Sequence, residues 1–302
     1  MFVWQAHKGS VRAIAFSPDG TALVTATGSS RSVSLWNPLT GELIRKLDLG
    51  VRDRVALSVA FAPDAPLLAV GMSGSVRVWD TVNWNELAIL VARDRKGSDG
   101  FYELAFGRGA NPRLAAGTAS RVSIWEDSGR PFATGLRPPD VEFAGANVPC
   151  LDFSPDGSLL ATNVLARAEL WDPVTGKLVR PVPHTHSTHH GPIKFSPDGT
   201  RLAVGYRKLV SIYPLSEQSG EPVTCTGHTK LVWSACWSAD GRTLLTASGD
   251  GTARLWEPTS GAELKMFEWG VGEIRTAAFS TDGLLGAVGG NDGKVVVWDV
   301  DA

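Results

Sequence analysis

Three groups of residues in this chain are of types that do chemistry. His228, Thr246 and Asp250 supply an imidazole, a hydroxyl and a carboxylate, the types a hydrolase uses, and they lie with Trp256 inside the stretch Gly227–Glu257. His184, His186, His189 and His190 put four imidazoles within seven residues, a density that suggests a metal tract. No cysteine or carboxylate lies beside that tract to complete a site, so the leading expectation is a solvated, pH-sensitive loop and no metal is predicted. The third group consists of arginines and large aromatics and becomes visible only when the chain is aligned with itself. There is no Gly-x-Ser-x-Gly elbow, no phosphate loop ending in Gly-Lys-Ser/Thr, no Cys-x-x-Cys and no His-Glu-x-x-His. The acids of the Pro-Asp-Gly segments fall in turns and do not form a converging pair. The sequence therefore predicts neither catalysis nor a cofactor.

The elements that must position these groups are short strands. Within the stretch from Gly227, the segments Leu231–Trp237, Arg242–Ala247 and Thr252–Trp256 are separated by turns ending in Asp-Gly, and Glu263–Phe267 follows a further turn. Asp-Gly between apolar runs favours hairpins, because glycine accepts the positive φ these turns need. The same unit recurs. Its closing aromatic falls at Trp36, Trp79, Trp125, Trp171, Tyr213, Trp256 and Trp298, and the aromatic ending its first strand at Phe16, Phe61, Phe106, Phe153, Phe195, Trp237 and Phe279. Both markers keep a spacing of 42 to 47 residues. A period of this length with four strands per unit is the signature of a propeller blade.

The expected fold is all-β: one seven-bladed β-propeller of four-stranded antiparallel blades. The repeats span about 5–47, 48–91, 92–134, 135–181, 182–224, 225–267 and 268–302. The last repeat has only three strands, and Met1–Trp4 precedes the first. Closure of the ring by that N-terminal strand is therefore expected, since it removes the exposed edges of an open sheet. The longest connections enter the third and fourth repeats, at 91–101 and 136–149.

The chain resembles the WD-repeat propellers. The resemblance rests on Gly227-His228 with Trp256-Glu257, on the pairs Trp79-Asp80, Trp171-Asp172 and Trp298-Asp299, and on the Ser-Pro-Asp-Gly turns at Ser17, Ser154 and Ser196. It implies that His228, Thr246, Asp250 and Trp256 form a buried structural hydrogen-bond tetrad, which sets the hydrolase reading aside. A buried indole, hydroxyl and imidazole each need a partner. Other repeats depart from this pattern. The first has His7 and Trp36 but Ser30-Arg31 in place of the aspartate, and the second to fifth have Ser73, Ala119, Leu165 and Arg207 there. Only the sixth carries the whole set.

The resemblance also implies that the residue four before each first-strand aromatic rings the channel mouth on a partner-binding face. Those residues are Arg12, Leu57, Tyr102, Pro149, Gly191, Trp233 and Arg275, and nearby turns add Arg31, Arg121, Arg167, Arg207 and Lys208. Arginine, tyrosine and tryptophan are enriched at binding hot spots, and arginine pairs bidentately with carboxylates and phosphates. The expected function is a non-catalytic scaffold that binds a partner protein or an acidic or phosphorylated peptide over this mouth. The alternatives are a regulatory or sensor domain of a larger polypeptide and a propeller enzyme with a site in the channel.

Bulk properties narrow the setting. A net charge of −2 gives no global field to attract nucleic acid or membrane. Three cysteines without paired spacing fit a reducing compartment, and there is neither a secretory apolar core nor a run of transmembrane length. A cytoplasmic, monomeric ring is expected.

Overall fold

Turn chemistry sets where the strands begin. Ser17 Oγ donates to Asp19 Oδ1 at 2.6 Å while accepting the Ala22 N–H at 2.9 Å, and Gly20 follows at φ 70°. Ser154, Ser196, Ser238 and Ser280 repeat the arrangement with Asp156, Asp198, Asp240 and Asp282. Each turn thus satisfies its own polar groups and reverses the chain between the first and second strands of a blade.

We describe a computed structural model of the chain, covering residues 1–29, 32–50, 55–91, 100, 102–109, 112–119, 121–126, 136–137, 139–144, 150–164, 167–182, 191–216 and 220–301. The strands form seven blades of four antiparallel strands arranged in a ring, a seven-bladed β-propeller. Blade six consists of Val232–Trp237, Leu244–Ser248, Thr252–Trp256 and Glu263–Glu268. Among the described residues, the buried apolar side chains divide into seven clusters, one at each contact between neighbouring blades. The first-strand aromatics Phe16, Phe106, Phe153, Phe195 and Trp237 are buried in these wedges. Blade faces are therefore hydrophobic on both sides, and no blade can bury its surface alone.

The ring closes through its first strand. Phe2–Gln5 pairs antiparallel with Lys294–Asp299, completing blade seven. The joint is reinforced where the chain leaves it. The N–H groups of Ala6 and His7 both donate to the Gly293 carbonyl at 3.0 Å, and the Gln5 amide donates to the carbonyls of His7 and Asp292 at 2.7 and 2.8 Å. Gly293 sits at φ 87° with the His7 carbonyl packed against its α-carbon, leaving no room for a side chain.

Blade three differs from the sequence expectation. Its fourth strand is Val141–Ala144, which pairs with Arg121–Glu126 and lies beyond the expected boundary at residue 134. Part of the expected connection 136–149 is therefore strand. Before reaching it, Leu136–Arg137 pairs in parallel with Glu86–Leu90 of blade two, giving that blade a fifth strand. The sequence after Trp125, Glu126-Asp127-Ser128-Gly129, offers a Gly-containing turn much like Pro258-Thr259-Ser260-Gly261 of blade six, and the late position of the fourth strand therefore departs from the local turn signal.

Within blades, closing tryptophans need an acceptor. Trp36, Trp171 and Trp256 donate to the hydroxyls of Thr25, Thr162 and Thr246 at 2.8, 3.0 and 2.8 Å. In blade seven the equivalent register position is Val288, and the buried Trp298 indole nitrogen has no partner among the described residues. We expect Val288→Thr to stabilise the protein by about 1 kcal/mol by satisfying that donor; urea unfolding that shows no gain would mean the indole is already satisfied. By contrast, Gly293→Ala should cost about 2 kcal/mol, because both φ and the His7 carbonyl oppose a side chain there. The same unfolding assay reads this loss.

Candidate functional site

The first strand of every blade lines a central channel of about 600 Å³. Alternation along these strands assigns the wall. Residues three and one before each first-strand aromatic face the lumen, while the residues between them pack into the wedges. The lumen positions are mostly small: Ala13 and Ala15 in blade one, Ser58 and Ala60 in blade two, Ser234 and Cys236 in blade six, Thr276 and Ala278 in blade seven. Blades three to five break this rule with Glu103, Asp152 and Lys194.

These three charges meet. Lys194 Nζ lies 3.2 Å from Glu103 Oε1 and 3.5 Å from Asp152 Oδ1, and each side chain keeps between 21% and 30% of its surface open to the channel. Asp152 also accepts the Phe195 N–H at 2.9 Å, tying blade four to blade five. Burial pushes the carboxyls of Glu103 and Asp152 up, partly offset by Lys194. Burial also works against the Lys194 ammonium, but Asp152 and Glu103 outweigh it and hold its pKa above the ordinary lysine range. Burial raises the thiols of Cys150 and Cys236, the latter to about 12, so neither is a thiolate at neutral pH. Sequence reasoning did not single out this cluster. The signal was available once the blades were aligned, as charge at positions where the other blades carry small residues.

At the mouth, the residues four before each first-strand aromatic have different surroundings. Arg12 is exposed and extends over Gly28. Leu57 is half-buried, packed with Tyr102 over Gly100, while Tyr102 itself is 45% exposed. Trp233 is 37% exposed, and the Arg275 guanidinium stacks 4.5 Å from its ring centroid while pairing with Glu273. Gly191 donates no side chain, and Pro149 lies outside the described residues. A half-exposed indole capped by a cation offers both an apolar face and positive charge to a ligand.

The turn cations separate. Arg207 and Lys208 are exposed at the tip of a two-residue hairpin in blade five, and Arg167 is exposed in blade four. Arg121 is drawn back instead: its guanidinium pairs with Glu142 at 3.1 Å on the outer strand of its own blade. Arg31 and the histidines at 184, 186, 189 and 190 lie outside the described residues. Among the described residues, no three His, Cys, Asp or Glu side chains gather as metal ligands.

In blade six, Asp250 Oδ2 accepts the His228 Nδ1–H at 2.9 Å. His228 Nε2 then accepts the Thr246 hydroxyl at 2.7 Å, and Thr246 accepts the Trp256 indole N–H. Burial lowers the His228 pKa against the opposing pull of Asp250, keeping the imidazole neutral. Asp250 accepts the Thr229 N–H at 2.9 Å as well, so the network fixes the loop at the channel mouth and leaves no free nucleophile. Blade one keeps three of the four parts, with His7 Nε2 2.7 Å from Thr25 Oγ1.

Residues 1–37, 46–80, 220–257 and 264–299 match the WD domain, G-beta repeat family. The chain is 26% identical over 272 residues to echinoderm microtubule-associated protein-like 3 of Mus musculus, covering 86% of this chain and 28% of that protein. It is 29% identical over 286 residues to echinoderm microtubule-associated protein-like 2 of Homo sapiens, covering 87% of this chain and 40% of that protein. A shorter similarity, 35% over 99 residues, to serine-threonine kinase receptor-associated protein of Gallus gallus covers 32% of this chain and 27% of that protein. The chain thus spans less than half the length of these relatives.

The lumen cluster gives a pH-dependent test. Glu103 and Asp152 have raised pKa values in the folded state, so their stabilising contribution is complete below the ordinary carboxylate values and is lost as pH rises. Lys194 opposes this loss. Lys194→Gln should match the wild type near pH 4 and fall behind towards pH 7 by about 2 kcal/mol, discounted for lumen water. A stability difference that does not change with pH would show that the three groups do not interact.

Proposed function

Because the chain belongs to the WD-repeat propeller family, we propose that it is a non-catalytic protein-interaction scaffold whose channel mouth binds a partner protein or an acidic or phosphorylated peptide. The observation that carries this reading is the exposure of Tyr102 and of the Arg275-capped Trp233 at the mouth, whereas the closing tryptophans Trp36, Trp79, Trp125, Trp256 and Trp298 are buried and Trp171 is half-buried. A rigid ring presents these groups at fixed positions, so little entropy is lost in ordering them on binding. Arg12 and Arg275 pair with anions in this scheme, and Tyr102 and Trp233 supply apolar anchors.

The absence of chemistry in the reading is supported residue by residue. The lumen carboxyls are engaged by Lys194, the lumen thiols are protonated, and the His228 imidazole has both nitrogens occupied. Three free thiols support a reducing, cytoplasmic setting, and the ring is read as a monomer. Names of the relatives refer to microtubules and to a kinase receptor; these belong to whole proteins of which this chain spans the fractions given above.

Affinity capture from native lysate tests the reading, with the wild-type ring beside a variant carrying Arg12→Glu, Tyr102→Ala, Trp233→Ala and Arg275→Glu. Both must first show equal thermal unfolding. The expected outcome is a partner retained by the wild type and lost by the variant; equal retention would move the working surface away from the mouth.

A further inference from the structure

Beside the mouth, residues of blades five, six and seven line a second, open cavity of about 530 Å³. Three cations line it: Arg207 and Lys208 from the blade-five hairpin and Lys230 from the loop entering blade six. All three are exposed, and among the described residues none pairs with a carboxylate. The acid at the edge, Glu273, is already engaged by Arg275 and does not cancel them. Thr229 lines the cavity beside these cations, and Trp233 forms one wall.

The pocket is built. Its loop is held at successive points: Thr229 N–H on Asp250, the Lys230 carbonyl on Ser248 Oγ at 3.3 Å, and the Leu231 carbonyl on the Gly249 N–H at 2.9 Å. The blade-six tetrad therefore fixes half of the cavity. The other half is fixed by Val232, whose N–H donates to the Arg207 carbonyl at 2.6 Å across the blade boundary. Arg207 adopts φ 49°, a region that favours glycine or asparagine, and an arginine held there costs about 1 kcal/mol or more of local strain. Gly249 makes room for the indole, since a methyl group there would lie 3.0 Å from Trp233 Nε1.

We propose that this cavity binds a phosphorylated side chain of a partner peptide, with Arg207, Lys208, Lys230 and the Thr229 hydroxyl on the phosphate and an adjoining apolar residue of the peptide against Trp233. The inference rests on the mouth face being the binding surface and names the chemistry it selects. A phosphate brings a charge of roughly −1.5 to −2 and three acceptor oxygens, which matches three cations and a hydroxyl better than a single carboxylate does. A peptide is favoured over nucleic acid because these three cations gather in one cavity on a chain whose net charge is −2, which gives no global field for a polyanion.

The test is fluorescence anisotropy of the whole chain with a labelled short-peptide pool that carries a fixed phosphoserine followed by leucine. The same pool without phosphate, inorganic phosphate as competitor, and a labelled single-stranded RNA form the other arms. Arg207→Gly removes the cation while relieving the backbone, so its thermal stability should equal or exceed the wild type. Wild type should bind the phosphorylated pool, and Arg207→Gly and Lys230→Ala should each weaken it roughly tenfold. Gly249→Ala, which displaces the indole, should weaken the preference for leucine while leaving competition by inorganic phosphate in place. Equal binding of both pools, no binding, unchanged affinity in the two cation variants, or RNA binding lost in those variants would each overturn the proposal. A partner captured through the mouth that survives Arg207→Gly with Lys230→Ala leaves the scaffold reading intact and removes the pocket from it; a partner that also survives the mouth variant removes both.

Discussion

Every blade in this ring buries both faces against neighbours, so the pairing of Phe2–Gln5 with Lys294–Asp299 governs the rest. Without it, blade seven would lack its outer strand and expose the edge of its third. The joint connects chain ends nearly the whole sequence apart, yet loop-closure entropy grows only slowly with length, by roughly 0.6 kcal/mol per doubling. Four antiparallel register pairs and the Gly293 clasp are set against that cost. Once the circumference is closed, the channel has a fixed bore, and the residues at its rim keep fixed separations. Preorganisation of the mouth follows from the joint at the outer edge of blade seven.

The ring is uneven in chemistry though regular in shape. Blades one, two, six and seven contribute small side chains to the lumen, and parts of these four blades match the family repeat. Blades three to five contribute Glu103, Asp152 and Lys194, and they depart most from the repeat pattern. Hydrogen bonding is similarly unequal: blade six carries the full His-Asp-Thr-Trp set, blade one three parts, blade four the Thr-Trp pair, and blade seven a tryptophan without a partner among the described residues. In blade six the network does more than fill a core, because Asp250 continues outward to Thr229 and sets the loop beside the mouth.

Much of the fold was legible because two aromatic markers repeat with one period, and each marks a buried position that a strand of alternating pattern must supply. Ring closure was legible as well, from a missing strand at one end and a spare one at the other. Blade three was not. Its chain pairs beside blade two at Leu136–Arg137 before it forms Val141–Ala144, whereas the local turn signal Asp127-Ser128-Gly129 points to a direct return. The mouth residues could be named by counting back from each aromatic, but the count could not tell that Arg121 turns to Glu142 while Arg275 stacks on Trp233. Those outcomes depend on neighbours brought in by the fold. The lumen cluster and the cavity beside the mouth share this property, since each gathers residues from three successive blades.

The parallel pairing of Leu136–Arg137 with Glu86–Leu90 has a mechanical consequence. Elsewhere among the described residues, blades hold their successors mainly through side-chain wedges and isolated hydrogen bonds such as that from Val232 N–H to the Arg207 carbonyl, contacts that yield gradually when two rigid plates are pried apart. Here the backbone of one repeat is stitched to the rim of the preceding one. A crack opening around the ring would stall at this seam, and the two repeats it joins would come away as one block.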